Sequence, residues 1–97
     1  MARHDVYADP AGDLLLDCQA DVLSHFDTRI VVPLLPAEKT VQASRLHPIF
    51  TIEGRKMVMV TQLASAVPVR ILVNKVASLD QQHDTIMNAF DMLLTGY

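Results

Sequence analysis

Ninety-seven residues, 51% of them hydrophobic, suit one core that buries about two thirds of the unfolded surface, so a single domain over residues 1–97 is expected. A formal charge of −3 and a pI near 5.7 exclude the basic footprint of a protein that grips a nucleic-acid backbone directly. Cys18 stands alone, which excludes an intramolecular disulfide; with no signal-peptide core and no apolar run near ~18 residues, a soluble cytoplasmic protein is expected.

Val6, Tyr7 and Ala8 form a short strand candidate, stopped by Asp9-Pro10-Ala11-Gly12-Asp13, whose Pro and Gly beside acids predict a hairpin turn. Residues 14–20 follow as a half-exposed strand, with Leu16, Cys18 and Ala20 on one face and Asp17 and Gln19 on the other. Residues 21–28 lack a sustained period and read as a loop, in which Val22 and Leu23 are apolar enough to form an exposed contact. Residues 29–35 are apolar on both faces and predict a strand deep in a sheet, ended where Pro33 and Pro36 remove ladder donors. Residues 37–46 show no clean stripe and read as irregular or strand-like.

Residues 48–52 and 56–62 predict a hairpin around the three-residue loop Glu53-Gly54-Arg55. Residues 63–67 read as a turn ahead of Pro68, residues 69–73 as a further strand, and residues 75–79 as a lead into a helix. Residues 80–97 then form one amphipathic helix, with Asp80 as N-cap, Asp84 in the first turn and Gly96 as the first break. Ile86, Phe90, Leu93 and Tyr97 follow helical spacing, Met87 and Leu94 widen the stripe, and Asp84, Asn88 and Asp91 face water. The fold class is mainly β: about six short antiparallel strands covered by one C-terminal helix.

Catalytic and metal chemistry find little support. His4, His25, His47 and His83 have no second ligand at metal spacing, and Cys18 has no catalytic signature around it. The three glycines stand singly, which leaves no phosphate loop, and Asp80, Asp84 and Asp91 read as a solvated face. Met57 and Met59 suit a core or a dimer seam, so no cofactor or metal is expected. Residues 29–35 and 56–62 offer more apolar face than one small sheet covers, which predicts a homodimer.

Val6-Tyr7, Leu16-Asp17-Cys18-Gln19-Ala20-Asp21, Val31-Val32-Pro33-Leu34, Leu46-His47-Pro48 and Ala64-Ser65-Ala66-Val67-Pro68-Val69 recur in a definite order. With Val76-Ala77-Ser78-Leu79, Ile86-Met87-Asn88-Ala89 and Gly96, they make nearly the whole chain resemble the CcdB family of toxins from bacterial toxin–antitoxin modules, which poison DNA gyrase. The resemblance implies an SH3-like, strongly bent antiparallel sheet of the CcdB/Kid/MazF type with a C-terminal helix. It also implies a homodimer whose paired helix tails enter a central cavity of the gyrase A subunit and trap the cleaved-DNA complex.

The family's gyrase contacts map onto Val22, Leu23, Asp91, Leu94, Thr95, Gly96 and Tyr97. Well-studied members carry Trp before the terminal Gly and a small aliphatic residue after it; Thr95 and Tyr97 stand there here, so either Tyr97 substitutes as the aromatic anchor from two positions on, or gyrase poisoning is weakened or lost. The family's first turn is basic and helps hold a disordered, acidic antitoxin C-terminal segment, whereas the turn here carries Asp9, Gly12 and Asp13. Those three, with Arg45 and Arg70, are the candidate antitoxin contacts. DNA is reached only through antitoxin or gyrase, and no membrane is involved. Two alternatives follow from the same fold: a ribonuclease toxin, which needs a positioned base, an acid and a cation, or a non-toxic homologue that only binds an antitoxin.

Overall fold

The computed structural model describes residues 2–39 and 44–96. Seven strands among them form one antiparallel sheet: β1 (Asp5–Ala8), β2 (Leu14–Asp17), β3 (Thr28–Pro36), β4 (Ile49–Ile52), β5 (Arg55–Met59), β6 (Ser65–Pro68) and β7 (Asn74–Ser78). Their order is β4-β5-β3-β2-β1-β7, with β6 also paired to β3. The sheet curls into a half-barrel, and the helix α1 (His83–Thr95) packs over it. The mainly β class with one C-terminal helix is as expected.

β3 is the central strand and runs through Pro33 rather than ending there. One side pairs Val31 to Leu34 with β2; the other pairs its first half with β6 and its last residues with β5. The Pro33 carbonyl accepts the Val60 N–H at 3.1 Å on that second side. A residue's N–H and C=O point the same way in a strand, so the missing donor faces the break between β6 and β5, where no ladder bond is lost. β3 is also apolar toward both layers: Val32 and Leu34 join a core with Val6, Leu16, Phe50, Met57 and Ile86, and Val31 packs with Tyr7 and Leu72 behind it.

The second hairpin is tighter than expected. Ile52 pairs with Arg55, so the loop is Glu53 and Gly54 alone, at φ 51° and 80°. Two consecutive positive φ values match the right-handed twist of the strands. The first hairpin closes as expected: Asp9 Oδ1 accepts the N–H groups of Ala11 at 3.0 Å and Asp13 at 2.9 Å.

Three element assignments change. Residues 65–68 are β6, residues 69–71 form a 3-10 turn, and the next strand is β7. The apolar run at 69–73 suggests a strand, but the chain turns there: the Val69 N–H donates to the Asp27 carbonyl at 2.9 Å, Leu72 drops into the core and Val73 is 80% exposed. β7 carries Asn74, Lys75 and Ser78 because it is an edge strand, held by pairing with β1 rather than by burial. Strands also end earlier than the pattern implies, β2 at Asp17 and β5 at Met59, with 3-10 turns at Asp21–Leu23 and Thr61–Leu63. Ala37–Lys39 and Ser44–Leu46 are 3-10 turns, and residues 40–43 lie outside the described residues.

Asp17 does not face water. Its side chain and that of Arg29 are both fully buried, paired at 2.7 Å between Arg29 Nη2 and Asp17 Oδ2, with Arg29 Nε donating at 3.0 Å to the same oxygen. Burial raises the Asp17 carboxyl above its ordinary range, while the guanidinium opposes that shift. Removing one partner leaves an uncompensated charge, which costs about 3–5 kcal/mol. Period-2 alternation put Asp17 opposite Leu16 correctly; a second buried layer behind the sheet makes that opposite face interior too.

Asp80 does not cap α1. A 3-10 turn at Asp80–Gln82 precedes the helix and Gln82 takes the cap position without a side-chain bond. The other end is as expected: Gly96, at φ 82°, adopts the left-handed conformation and its N–H donates to the Met92 carbonyl at 3.1 Å.

Candidate functional site

The turn Asp21–Leu23 is held from below. Asp21 Oδ1 accepts the Arg3 N–H at 2.8 Å and lies 3.6 Å from Arg29 Nη2. Gln19 staples the far side: its Nε2 donates to the Leu23 carbonyl at 3.1 Å and the Thr28 carbonyl at 3.2 Å, while its Oε1 accepts the Ile30 N–H at 3.2 Å. So fixed, the turn pushes Val22 into solvent at 81% exposure and leaves Leu23 at 38%.

Leu23 faces the C-terminal half of α1. With Cys18, Gln19, Ala20, Ile30, Met87, Phe90 and Leu94 it lines an open, mostly apolar hollow. Leu94 is 76% exposed and Leu23 and Ile30 are also exposed, so the hollow presents hydrocarbon to water at a cost that a partner would remove. Burial pushes the Cys18 thiol up to about 12, which keeps it neutral, and its Sγ lies 3.6 Å from the Leu16 carbonyl oxygen. It is a wall of the hollow rather than an activated nucleophile.

Of the residues expected at a target surface, Leu23 and Leu94 therefore meet, and Val22 stands exposed next to Leu23 in the chain. Asp91 and Thr95 lie exposed on the last helical turns, where Thr95 Oγ1 donates to the Asp91 carbonyl at 2.6 Å. Gly96 ends the helix, and Tyr97 lies outside the described residues. Ile30, Met87 and Phe90 were not expected there. Met87, Phe90 and Leu94 are an i, i+3, i+7 stripe that the helical period already contained; Ile30 carried no signal, since a strand apolar on both faces does not tell which of its apolar residues stays uncovered.

The antitoxin candidates do not form one patch. Asp9 and Arg70 meet in a hollow with Pro10, Ile71 and Val73. Gly12 and Asp13 line a different one, between the hairpin loops, with Glu53 and Arg55. Arg45 sits apart, in a groove with Pro48 and the helix residues Thr85 and Asn88.

Among the described residues no group of three or more His, Cys, Asp and Glu is arranged to hold a metal, and no helix is long and apolar enough to cross a membrane. A curled antiparallel sheet under one terminal helix, with an apolar hollow where that helix overhangs the sheet, defines a small mainly β protein suited to contact with other macromolecules. Residues 3–96 match the family model described as CcdB protein, and the chain belongs to the CcdB family of toxin–antitoxin toxins. No curated protein matches the chain.

Proposed function

We propose that this protein is the toxin of a type II toxin–antitoxin system that binds the A subunit of DNA gyrase in the cytoplasm and traps the gyrase–cleaved DNA complex. The observation that carries the reading is the shared hollow of Leu23 and Leu94, which brings two expected gyrase contacts from opposite ends of the chain to one apolar surface. Val22 in the neighbouring turn and Asp91, Thr95 and Gly96 at the end of the helix extend that surface, and Tyr97, outside the described residues, is the proposed aromatic anchor. The active unit is a homodimer, which covers part of the apolar surface left by Phe26 outside that hollow and presents two tails together. A disordered C-terminal segment of the antitoxin neutralises it through Asp9 and Arg70, with Gly12, Asp13 and Arg45 as outlying contacts.

Gyrase supercoiling and DNA-cleavage assays test the reading. Deleting Gly96 and Tyr97 should abolish inhibition, a loss of roughly 2 kcal/mol or more in target binding, while the fold persists. Thr95→Trp should strengthen it by adding a ring able to stack on arginine. Full inhibition by the tail deletion, or no effect of parent and Thr95→Trp alike, would rule the gyrase reading out.

A further inference from the structure

We propose that His4, packed against the His83 ring, forms an acid-sensitive latch that releases the N-terminal end of α1 from the sheet when the His4 ring is protonated. His4 is only 3% exposed, and its Nε2 has no hydrogen-bond partner among the described residues. That suits a neutral imidazole. An imidazolium has two N–H donors, and burying one unpaired carries a desolvation penalty that the neutral ring avoids.

The residue is also a mechanical junction. Its N–H donates to the Asp17 carbonyl at 2.6 Å and its carbonyl accepts the Leu79 N–H at 2.8 Å, which ties the end of β2 to the segment leading into α1. It does so at φ 73°, in the left-handed region that non-glycine residues rarely occupy. Its ring lies 5.3 Å from that of His83, the first residue of α1. Movement of the His4 ring into water therefore disturbs the helix start and the β2 end together.

The charges around the junction favour release in acid. Arg3 from the N-terminal segment and His83 from α1 both oppose a proton on His4; Asp21 from the turn after β2 and Asp80 ahead of α1 favour one. Burial is the largest influence and, with Arg3 and His83, lowers the His4 pKa below 6.5. A protonated His4 ring would also stand beside the helix N-terminus, the positive end of its dipole. Because the folded ring resists a proton that the unfolded ring accepts, this contribution to stability is present above 6.5 and is lost as pH falls below it toward the folded value. The latch lies at the opposite end of α1 from Leu94 and stands apart from the gyrase reading.

The test compares parent, His4→Phe and His83→Gln by urea unfolding and by Leu79 amide exchange corrected for its intrinsic rate, from about pH 7.5 to about pH 5.5. In the parent, the folded-to-unfolded ratio should fall by up to about tenfold more over that interval than in His4→Phe, the factor by which the unfolded ring is protonated one unit below its pKa. His83→Gln should lie between them. Leu79 exchange should quicken in step, most in the parent, less in His83→Gln and not in His4→Phe. An identical pH dependence in parent and His4→Phe would overturn the latch. Should His4→Phe not fold, the His4 ring resonances of the parent decide it: a titration midpoint below 6.5 that tracks Leu79 exchange supports the latch, and one at or above 6.5 overturns it.

Discussion

The two halves of α1 share one amphipathic pattern and have opposite fates. In the first half, Ile86 and Ala89 are fully buried, and the helix packs on the core and on the turns at Ser44–Leu46 and Thr61–Leu63. In the second half Met92, Leu93 and Leu94 are exposed, and Leu93, whose spacing predicts a core contact, has only partial cover. The helix outruns the surface beneath it. Hydrophobic periodicity therefore reports which way a side chain points, and not whether anything lies there to receive it. Where support ends, the same stripe becomes the wall of a hollow shared with Leu23.

Substitutions along the stripe should grade accordingly. Ile86→Ala should have the largest effect on stability, about 2–4 kcal/mol by urea unfolding, because its cavity opens in a closed part of the core. Phe90→Ala should cost less, about 2 kcal/mol, since Phe90 is half-buried where core and hollow meet; a loss as large as that of Ile86→Ala would place the boundary further along the helix. Gly96→Ala should cost about 1 kcal/mol through strain at its positive φ, read as fraying of the last turn in amide exchange. Leu94→Ala should change stability by less than about 0.5 kcal/mol yet weaken gyrase inhibition by about tenfold or more. If Leu94→Ala unfolds the protein, or leaves inhibition untouched, the division between the halves fails.

The histidines make a similar contrast. His4 and His83 look alike in sequence, both isolated and without metal spacing, yet His4 is buried with an unpartnered nitrogen while His83 lies exposed above it. Nothing in Arg3-His4-Asp5 signals burial. It follows from Asp17 and Leu79, which bond to the His4 backbone from distant parts of the chain.

Local chemistry was enough to determine the first hairpin turn, the place of the second though not its two-residue length, the strands to within a residue of 6–8 and 48–52, and the end of the helix at Gly96. Each rests on backbone preferences of neighbouring residues: Gly and Asp in turns, β-branched runs in strands, and glycine where φ is positive. The CcdB resemblance came from the order and spacing of motifs, and the family match over residues 3–96 bears it out. The buried Asp17–Arg29 pair, the passage of β3 through Pro33, the polar edge strand β7 and the meeting of Leu23 with Leu94 were settled by tertiary contact. In each, a residue's environment depends on a partner far along the chain: a second layer behind β2, a break between β6 and β5, a ladder supplied by β1, or the overhang of α1. Periodicity sorts residues into faces, but only closure of the curled sheet decides which faces meet protein and which meet water.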